Sequence, residues 1–363
     1  MRRAISFLIC LALLWGFGCG GKKTDEVALA KEEFEAGQYS KAQLTLEQFI
    51  AKQSQNVEAQ CLLAVVYSRL DKTQELDTQA EKLRNLGKPA MDKLASMMKY
   101  ELNMAEDTAK VLAAVGEPAV EALIPVLGDA TERIREIAIS VLTTIGAPAA
   151  APMTKALESP DVSTRAGAAR VLGDIGDTAA VEPLTKVLAD GNIHVRIEAA
   201  TALYKLGDKS HADVITDGLG ADLLSARRAA AVAMQNAVEE PPVEPLIKAA
   251  RDTDAQVRAA AISALGKTKD ARAVPVLIEA LKAEDDTIRS IAADVLPGLG
   301  ELAVMPLVEF MGGEQDEGVL YKVIRILGDI GDERAVGALE KVYAEDARQL
   351  LKDEAAAALN KIE

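Results

Sequence analysis

The heptad Val171-Leu172-Gly173-Asp174-Ile175-Gly176-Asp177 returns almost letter for letter as Ile326-Leu327-Gly328-Asp329-Ile330-Gly331-Asp332. Looser copies stand at Val111–Glu117, Val141–Ala147, Ala202–Asp208, Ala233–Glu239, Ala264–Asp270 and Val295–Glu301. The anchor position, usually Gly, falls at 116, 146, 176, 207, 238, 269, 300, 331 and 363, in steps of 30 to 32 residues. A fixed period of this length marks stacked structural units, none of which buries its apolar face alone. It therefore decides the architecture before composition is consulted.

Within each period the pattern predicts two helices. The first is an apolar run such as Val181-Glu182-Pro183-Leu184, echoed by Val243-Glu244-Pro245-Leu246 and Val304-Met305-Pro306-Leu307. Pro152, Pro183, Pro245 and Pro306 share a register, expected to be a first helical turn, where a missing N–H costs little. The second helix is opened by a recurring arginine at Arg135, Arg165, Arg196, Arg227, Arg258 and Arg289. Three residues after each stands Ala (Ala138, Ala168, Ala199, Ala230, Ala261, Ala292). Seven after stands Leu142, Leu172, Leu203, Met234, Leu265 or Leu296. Offsets of three and seven lie on one helical face, where Ala permits close approach and Leu fills the layer behind it. Hydrophobic residues make up 49% of the chain but aromatic ones only 3%, which suits helices meeting through small side chains.

These repeats resemble the HEAT family, in its short form named after phycobilisome lyases. The resemblance covers residues 89–363 as nine repeats of about 31 residues and implies an all-α, right-handed α-solenoid of stacked two-helix units. Ala105, Leu320 and Lys352 depart from it where the arginine belongs, as do Val238 and Lys269 at the anchor. In HEAT arrays this arginine ties units together by bonding acidic or backbone oxygens in the turns. Arg135, Arg165, Arg196, Arg227, Arg258 and Arg289 are accordingly expected to form a structural ladder, with Asp129, Asp161, Asp190, Asp254 and Asp285 as acceptors.

Residues 26–88 do not follow the 31-residue template. Leu29, Phe34, Gly37, Tyr39, Ala42, Leu46 and Phe49 are spaced as in a tetratricopeptide repeat, with Gly37-Gln38-Tyr39-Ser40-Lys41-Ala42 carrying the resemblance. A second copy at Val57–Leu76 has Asp71 and Thr73 where Gly and Tyr are expected. The segment is read as a helical cap over the first exposed face of the solenoid, with a shallow peptide groove as the alternative.

Met1-Arg2-Arg3, the apolar Ala4–Trp15 run and Gly16-Phe17-Gly18-Cys19 resemble a bacterial lipoprotein signal, with Gly16 in place of the usual Leu. The apolar run is short for a membrane-spanning helix of about 20 residues. The resemblance implies a signal at residues 1–18, acylation of Cys19 and a tether at 19–25. An ordinary cleaved signal, an uncleaved anchor or a cytoplasmic chain with a mis-assigned start are the alternatives. Several acyl chains hold a protein stably. Gly20 after the cysteine favours, by similarity to envelope sorting rules, the outer membrane or periplasmic face of a bacterial envelope. Cys61, in the apolar run Ala59–Tyr67, is expected in the core.

The formal charge of −15 argues against nucleic acid or anionic lipid as a partner. No Gly-x-Ser-x-Gly, phosphate loop or HExxH motif is present. Deoxyhypusine hydroxylase, a HEAT-like enzyme, takes metal on His-Glu pairs; the nearest approach here, Arg196-Ile197-Glu198, has Ile197 where His belongs. A HEAT-scaffold oxidoreductase or bilin lyase is therefore the lesser alternative. No catalytic residue, metal, cofactor or small-molecule substrate is expected, and both histidines, His194 and His211, are expected at the surface. What the template leaves unfixed is a strip of the second helices on the concave face: Arg170, Ile197, Tyr204, Lys205, Arg228, Asp294, Tyr321, Lys322 and Arg325. Tyr and Arg commonly anchor interfaces, so the expected role is a non-catalytic, membrane-anchored scaffold or adaptor binding other proteins there.

Overall fold

The computed structural model describes residues 25–362. The leader and Cys19 lie outside the described residues. The chain is an all-α solenoid, with no strand among the described residues. It divides into two compact units after Pro118.

The first unit holds α1 (Glu26–Glu35), α2 (Tyr39–Lys52), α3 (Val57–Arg69), α4 (Thr73–Leu86), α5 (Lys88–Tyr100) and α6 (Ala105–Val115). Polar side chains start its helices where the sequence supplies them. Asp25 accepts from the N–H groups of Val27 and Ala28, and Asn56 accepts from that of Ala59. Between α1 and α2 the chain turns at Gly37 with φ of 74°; at the matching turn Asp71 takes φ of 53°, a conformation Asp tolerates better than most residues. Tyr39 packs edge-on to Phe34, and the Arg69 guanidinium lies 5.1 and 5.4 Å from the two ring centres while its Nε donates to Asp107. Helices α5 and α6, the first helix pair of the 31-residue period, pack on α3 and α4 in this unit. Cys61 is fully buried, and burial pushes its thiol up to about 12.

The second unit is eight helix pairs. They are α7 (Val120–Leu123) with α8 (Glu132–Ile145), α9 (Ala147–Ala156) with α10 (Val162–Ile175), α11 (Val181–Val187) with α12 (Ile193–Lys205), and α13 (Ala212–Gly218) with α14 (Leu224–Asn236). Then come α15 (Val243–Ala249) with α16 (Ala255–Leu265), α17 (Val274–Ala280) with α18 (Asp286–Val295), α19 (Glu301–Gly313) with α20 (Glu317–Ile330), and α21 (Val336–Glu345) with α22 (Gln349–Ile362). Each second helix packs on the second helix of the next pair. Every residue of the alanine column and of the leucine column is fully buried, so those two columns are the core of the stack. At about 25 cal/mol per Å² of apolar surface, it is this repeated burial that holds the pairs in register.

Two prolines correct the sequence reading. Pro183 and Pro245 lie in the first turns of α11 and α15, but Pro152 and Pro306 lie inside α9 and α19. Those helices begin earlier, directly after Gly146 and Gly300 at φ of 76° and 55°, without the short 3-10 turn that precedes α11. The two glycines of the heptad have different duties. Gly176 supplies a left-handed turn at φ of 79°, whereas a Cβ on Gly173 would stand 2.6 Å from the Ala202 Cα, so Gly173 lets α10 and α12 touch backbone to side chain. Gly328 does the same against Ala358. Among the described residues no helix is long and apolar enough to cross a membrane.

Candidate functional site

The ladder is built on main chain first. Each of the six arginines donates Nη1 to the carbonyl six residues before it, at Asp129, Ser159, Asp190, Ala221, Asp252 and Ala283. This ties the start of the second helix to its own turn. Carboxylate clamps across repeats are fewer than expected. Arg165 grips Asp190 through Nε (2.7 Å) and Nη2 (3.2 Å), and Arg227 grips Asp252 in the same way (2.7 and 3.3 Å). Asp161, Asp254 and Asp285 instead cap α10, α16 and α18 by accepting backbone N–H bonds, and the Asp129 carboxylate accepts from the Thr131 N–H. Burial opposes ionisation of Asp190 and Asp252, but their arginines and backbone donors hold both below the usual carboxylate range.

Arg170, Lys205, Arg228 and Tyr204 of the candidate strip make contacts between neighbouring repeats. Arg170 on α10 meets Glu136 on α8 at 2.6 Å, and Lys205 on α12 meets Asp174 on α10 at 2.5 Å. Arg228 on α14 clasps Asp254 with two hydrogen bonds of 3.0 and 2.6 Å. Glu354 on α22 raises the Tyr321 hydroxyl above its ordinary value, and the Tyr204 hydroxyl accepts from the Glu239 N–H at 3.3 Å. Arg325 lies 4.0 Å from Asp329 on its own helix, Lys322 is half-buried and Asp294 is exposed. Ile197 does not belong to a surface strip. It is fully buried, with its side chain against Gly218 of α13, where the missing Cβ makes room for it.

Arg228 also lies 3.8 Å from Glu132. Glu132 belongs to α8, three second helices away from α14, so this row of helices curls enough for side chains to span it. Inside that curl, His194 and Glu198 project from one face of α12, four residues apart. His194 is half-buried, not fully exposed. Its Nδ1 is buried without a hydrogen-bond partner, and burial, with Arg135 beside it, depresses its pKa below the ordinary value. Glu198 is pushed up to about 7 by burial, against the pull of Arg170 and Lys205 and with Glu136 and Asp174 adding to the push. Sequence periodicity could not find this cluster, because its members come from three repeats and occupy positions the template does not fix. Among the described residues no three His, Cys, Asp or Glu side chains gather as a metal ion would require.

In the first unit a pocket of about 130 Å³ opens between α1, α3 and α5. Leu62 and Met97 line it beside the ion pairs Lys31–Glu101 (2.9 Å) and Lys93–Glu58 (2.6 Å). In the second unit an open pocket of about 450 Å³ lies at Arg196, between the turns that precede α12 and α14.

Residues 150–236, 225–297 and 284–360, together more than half of the chain, match the family model of HEAT repeats. Among solved structures, an engineered protein is 20% identical over 85% of this chain and 96% of its own, with a TM-score of 0.41. Human deoxyhypusine hydroxylase in complex with glycerol is 22% identical over 68% of this chain and 96% of its own, with a TM-score of 0.30. The complex of CpcE and CpcF of phycocyanin lyase from a Nostoc species is 21% identical over 59% of this chain and 94% of its own, with a TM-score of 0.35. No curated protein sequence matches the chain.

Proposed function

Because this chain belongs to the HEAT-repeat family, we propose that it is a non-catalytic scaffold or adaptor, held at a bacterial envelope through acylated Cys19 and binding other proteins along its second helices. The observation that carries the reading is how its charges are used. Arg170, Lys205 and Arg228 each tie one repeat to the next, which stiffens the array instead of presenting reactive groups. A rigid stack presents surface at little entropic cost on binding. Tyr204, Tyr321, Lys322, Arg325 and Asp294 remain at least partly accessible on it.

The test is crosslinking and pull-down from intact cells with the acylated protein as bait. A recurring envelope protein, lost when Arg170, Tyr204 and Tyr321 are changed together in a variant that still folds, is the expected result. A partner that survives that triple change would move the binding surface elsewhere. Incorporation of a lipid precursor, abolished by Cys19→Ser, tests the anchor. Iron or a visible pigment carried by the purified chain would overturn the non-catalytic reading and direct attention to His194 and Glu198.

A further inference from the structure

The ladder contains its own ligand, and at Arg196 the absence of that ligand coincides with an uncapped helix start and an open pocket. Where Arg165 and Arg227 are clamped, the carboxylate comes from the residue six before the next ladder arginine, Asp190 or Asp252. For Arg135, Arg196 and Arg258 that position is Ser159, Ala221 and Ala283, none of which carries a carboxylate; of these three, Arg196 is the one whose following second helix also lacks a side-chain cap. Arg196 keeps the carbonyl bond from Nη1 to Asp190 at 2.8 Å, while its Nε and Nη2 edge has no acceptor among the described residues. The nearby Asp190 carboxylate is already held by Arg165.

Two positions further on, the template breaks again. The residue that starts the second helix is Asp161, Asn192, Asp254, Asp285 or Asp316 in five other repeats, each capping its helix with a side-chain hydrogen bond, while Thr131 before α8 makes none. In this repeat it is Leu223, which makes no cap bond and is 44% exposed. Gly191 and Gly220 remove two further side chains. The result is the 450 Å³ pocket, with Arg196 on one wall and Ile193, Ala221 and Leu223 around it. This repeat thus combines an unclamped arginine, a condition shared with Arg135 and Arg258, with an uncapped helix start, and such local losses cluster where a surface serves binding.

We propose that this pocket receives an acidic side chain followed by an apolar one from a partner protein. The carboxylate would take the place Asp190 and Asp252 occupy on Arg165 and Arg227, and the apolar neighbour would cover Leu223. Guanidinium and carboxylate match as two parallel hydrogen bonds. Asp222, whose side chain also lines the pocket, favours a single carboxylate over a more highly charged phosphate. This inference deepens the scaffold reading by naming the chemistry of a partner segment, yet it concerns a different surface. Its test is a direct titration, so it stands or falls independently of any partner found in cells.

The experiment follows the arginine Nε–H signals of the full chain by NMR, with the Arg196 signal identified from its loss in Arg196→Lys. The probes are acetyl-Asp-Leu-amide, acetyl-Asn-Leu-amide and acetate. The expected result is a saturable shift of the Arg196 signal with the aspartyl peptide, at several-fold lower concentration than with acetate, and none with the asparaginyl peptide. Arg165 and Arg227 should not move. Ala221→Asp should place the Arg196 signal beside those of Arg165 and Arg227 without ligand and abolish the titration. Leu223→Asp, which restores the usual cap, should keep the fold and weaken peptide binding several-fold. An Arg196 signal unmoved by the aspartyl peptide would overturn the site. Equal response to acetate and peptide would overturn the protein-segment assignment, as would a Leu223→Asp variant that binds as well as the wild type.

Discussion

Glu198→Gln separates the cost of a buried carboxylate from everything else in the inner cluster. The Glu198 carboxyl is raised from its ordinary value near 4.5 to about 7, first because burial penalises its charge. Between those two pH values the folded chain keeps a proton that the unfolded chain has released, so stability falls as pH rises through that window and stays reduced above 7. At about 1.4 kcal/mol per tenfold in acidity the ceiling is roughly 3 kcal/mol. The side chain retains partial exposure, so solvent screening brings the expected value to about 1–2 kcal/mol. Gln is neutral throughout. The variant should therefore be about 1–2 kcal/mol more stable than wild type at pH 8 and nearly equal to it at pH 4.5. Asp190 and Asp252 act with the opposite sign, since their depressed values contribute stability that is lost as pH falls, but they are common to both proteins and cancel. The assay is urea unfolding followed by helical circular dichroism at the two pH values, with slopes compared because repeat arrays can lose cooperativity. Equal differences at both pH values would refute the reasoning. So would a variant less stable at pH 8, which would mean that Arg170 and Lys205 hold the ionised carboxylate in a net favourable pair.

Gly173→Ala should destabilise by about 1–3 kcal/mol, because its Cβ would meet the Ala202 backbone 2.6 Å away and not a side chain able to swing aside; a melting temperature unchanged from wild type would exclude the close approach. Arg227→Ala removes a carboxylate clamp as well as two carbonyl bonds, whereas Arg196→Ala removes one carbonyl bond. The first should cost about 1–3 kcal/mol and the second under about 1, measured as the difference in urea midpoints at equal slope. Cys61, buried and with its thiol at about 12, should resist iodoacetamide at pH 8 in the native chain and react fully in denaturant, read on the Cys61 peptide by mass spectrometry.

What repeats was legible, and what occurs once was not. The alanine and leucine columns could be read because each is tested several times over in one chain, and every member is fully buried. The arginine column was equally visible, but its partners were only partly so. Sequence proximity to the turn cannot tell a carboxylate that caps a helix, such as Asp254, from one that clamps a ladder arginine, such as Asp252; the two are two residues apart and both lie in the same turn. Ile197 was misplaced because its offset from the arginine is the one Arg228 uses in the next repeat. Only the glycine at 218, on a different helix, turns that offset inward in α12. His194 and Glu198 were visible as residues but not as a cluster, since their environment depends on the curl that brings α8 within reach of α14.

The same contrast bears on where such an array recognises anything. A charge that bridges two repeats is screened by its partner and gives an incoming group little to gain, because binding must first break a contact the array already has. Arg170, Lys205 and Arg228 are in that condition. An arginine held in place by a carbonyl bond at Nη1, with its other edge unmatched, is in the opposite one. Its orientation is already fixed by the fold, so an incoming carboxylate gains two hydrogen bonds without paying to order the side chain. Arg196 meets that condition because Ala221 stands where Asp190 and Asp252 serve Arg165 and Arg227. Arg135 and Arg258 share that unmatched edge, so it is the edge together with an exposed leucine at an uncapped helix start that marks recognition more specifically than a strip of charged residues along the helices.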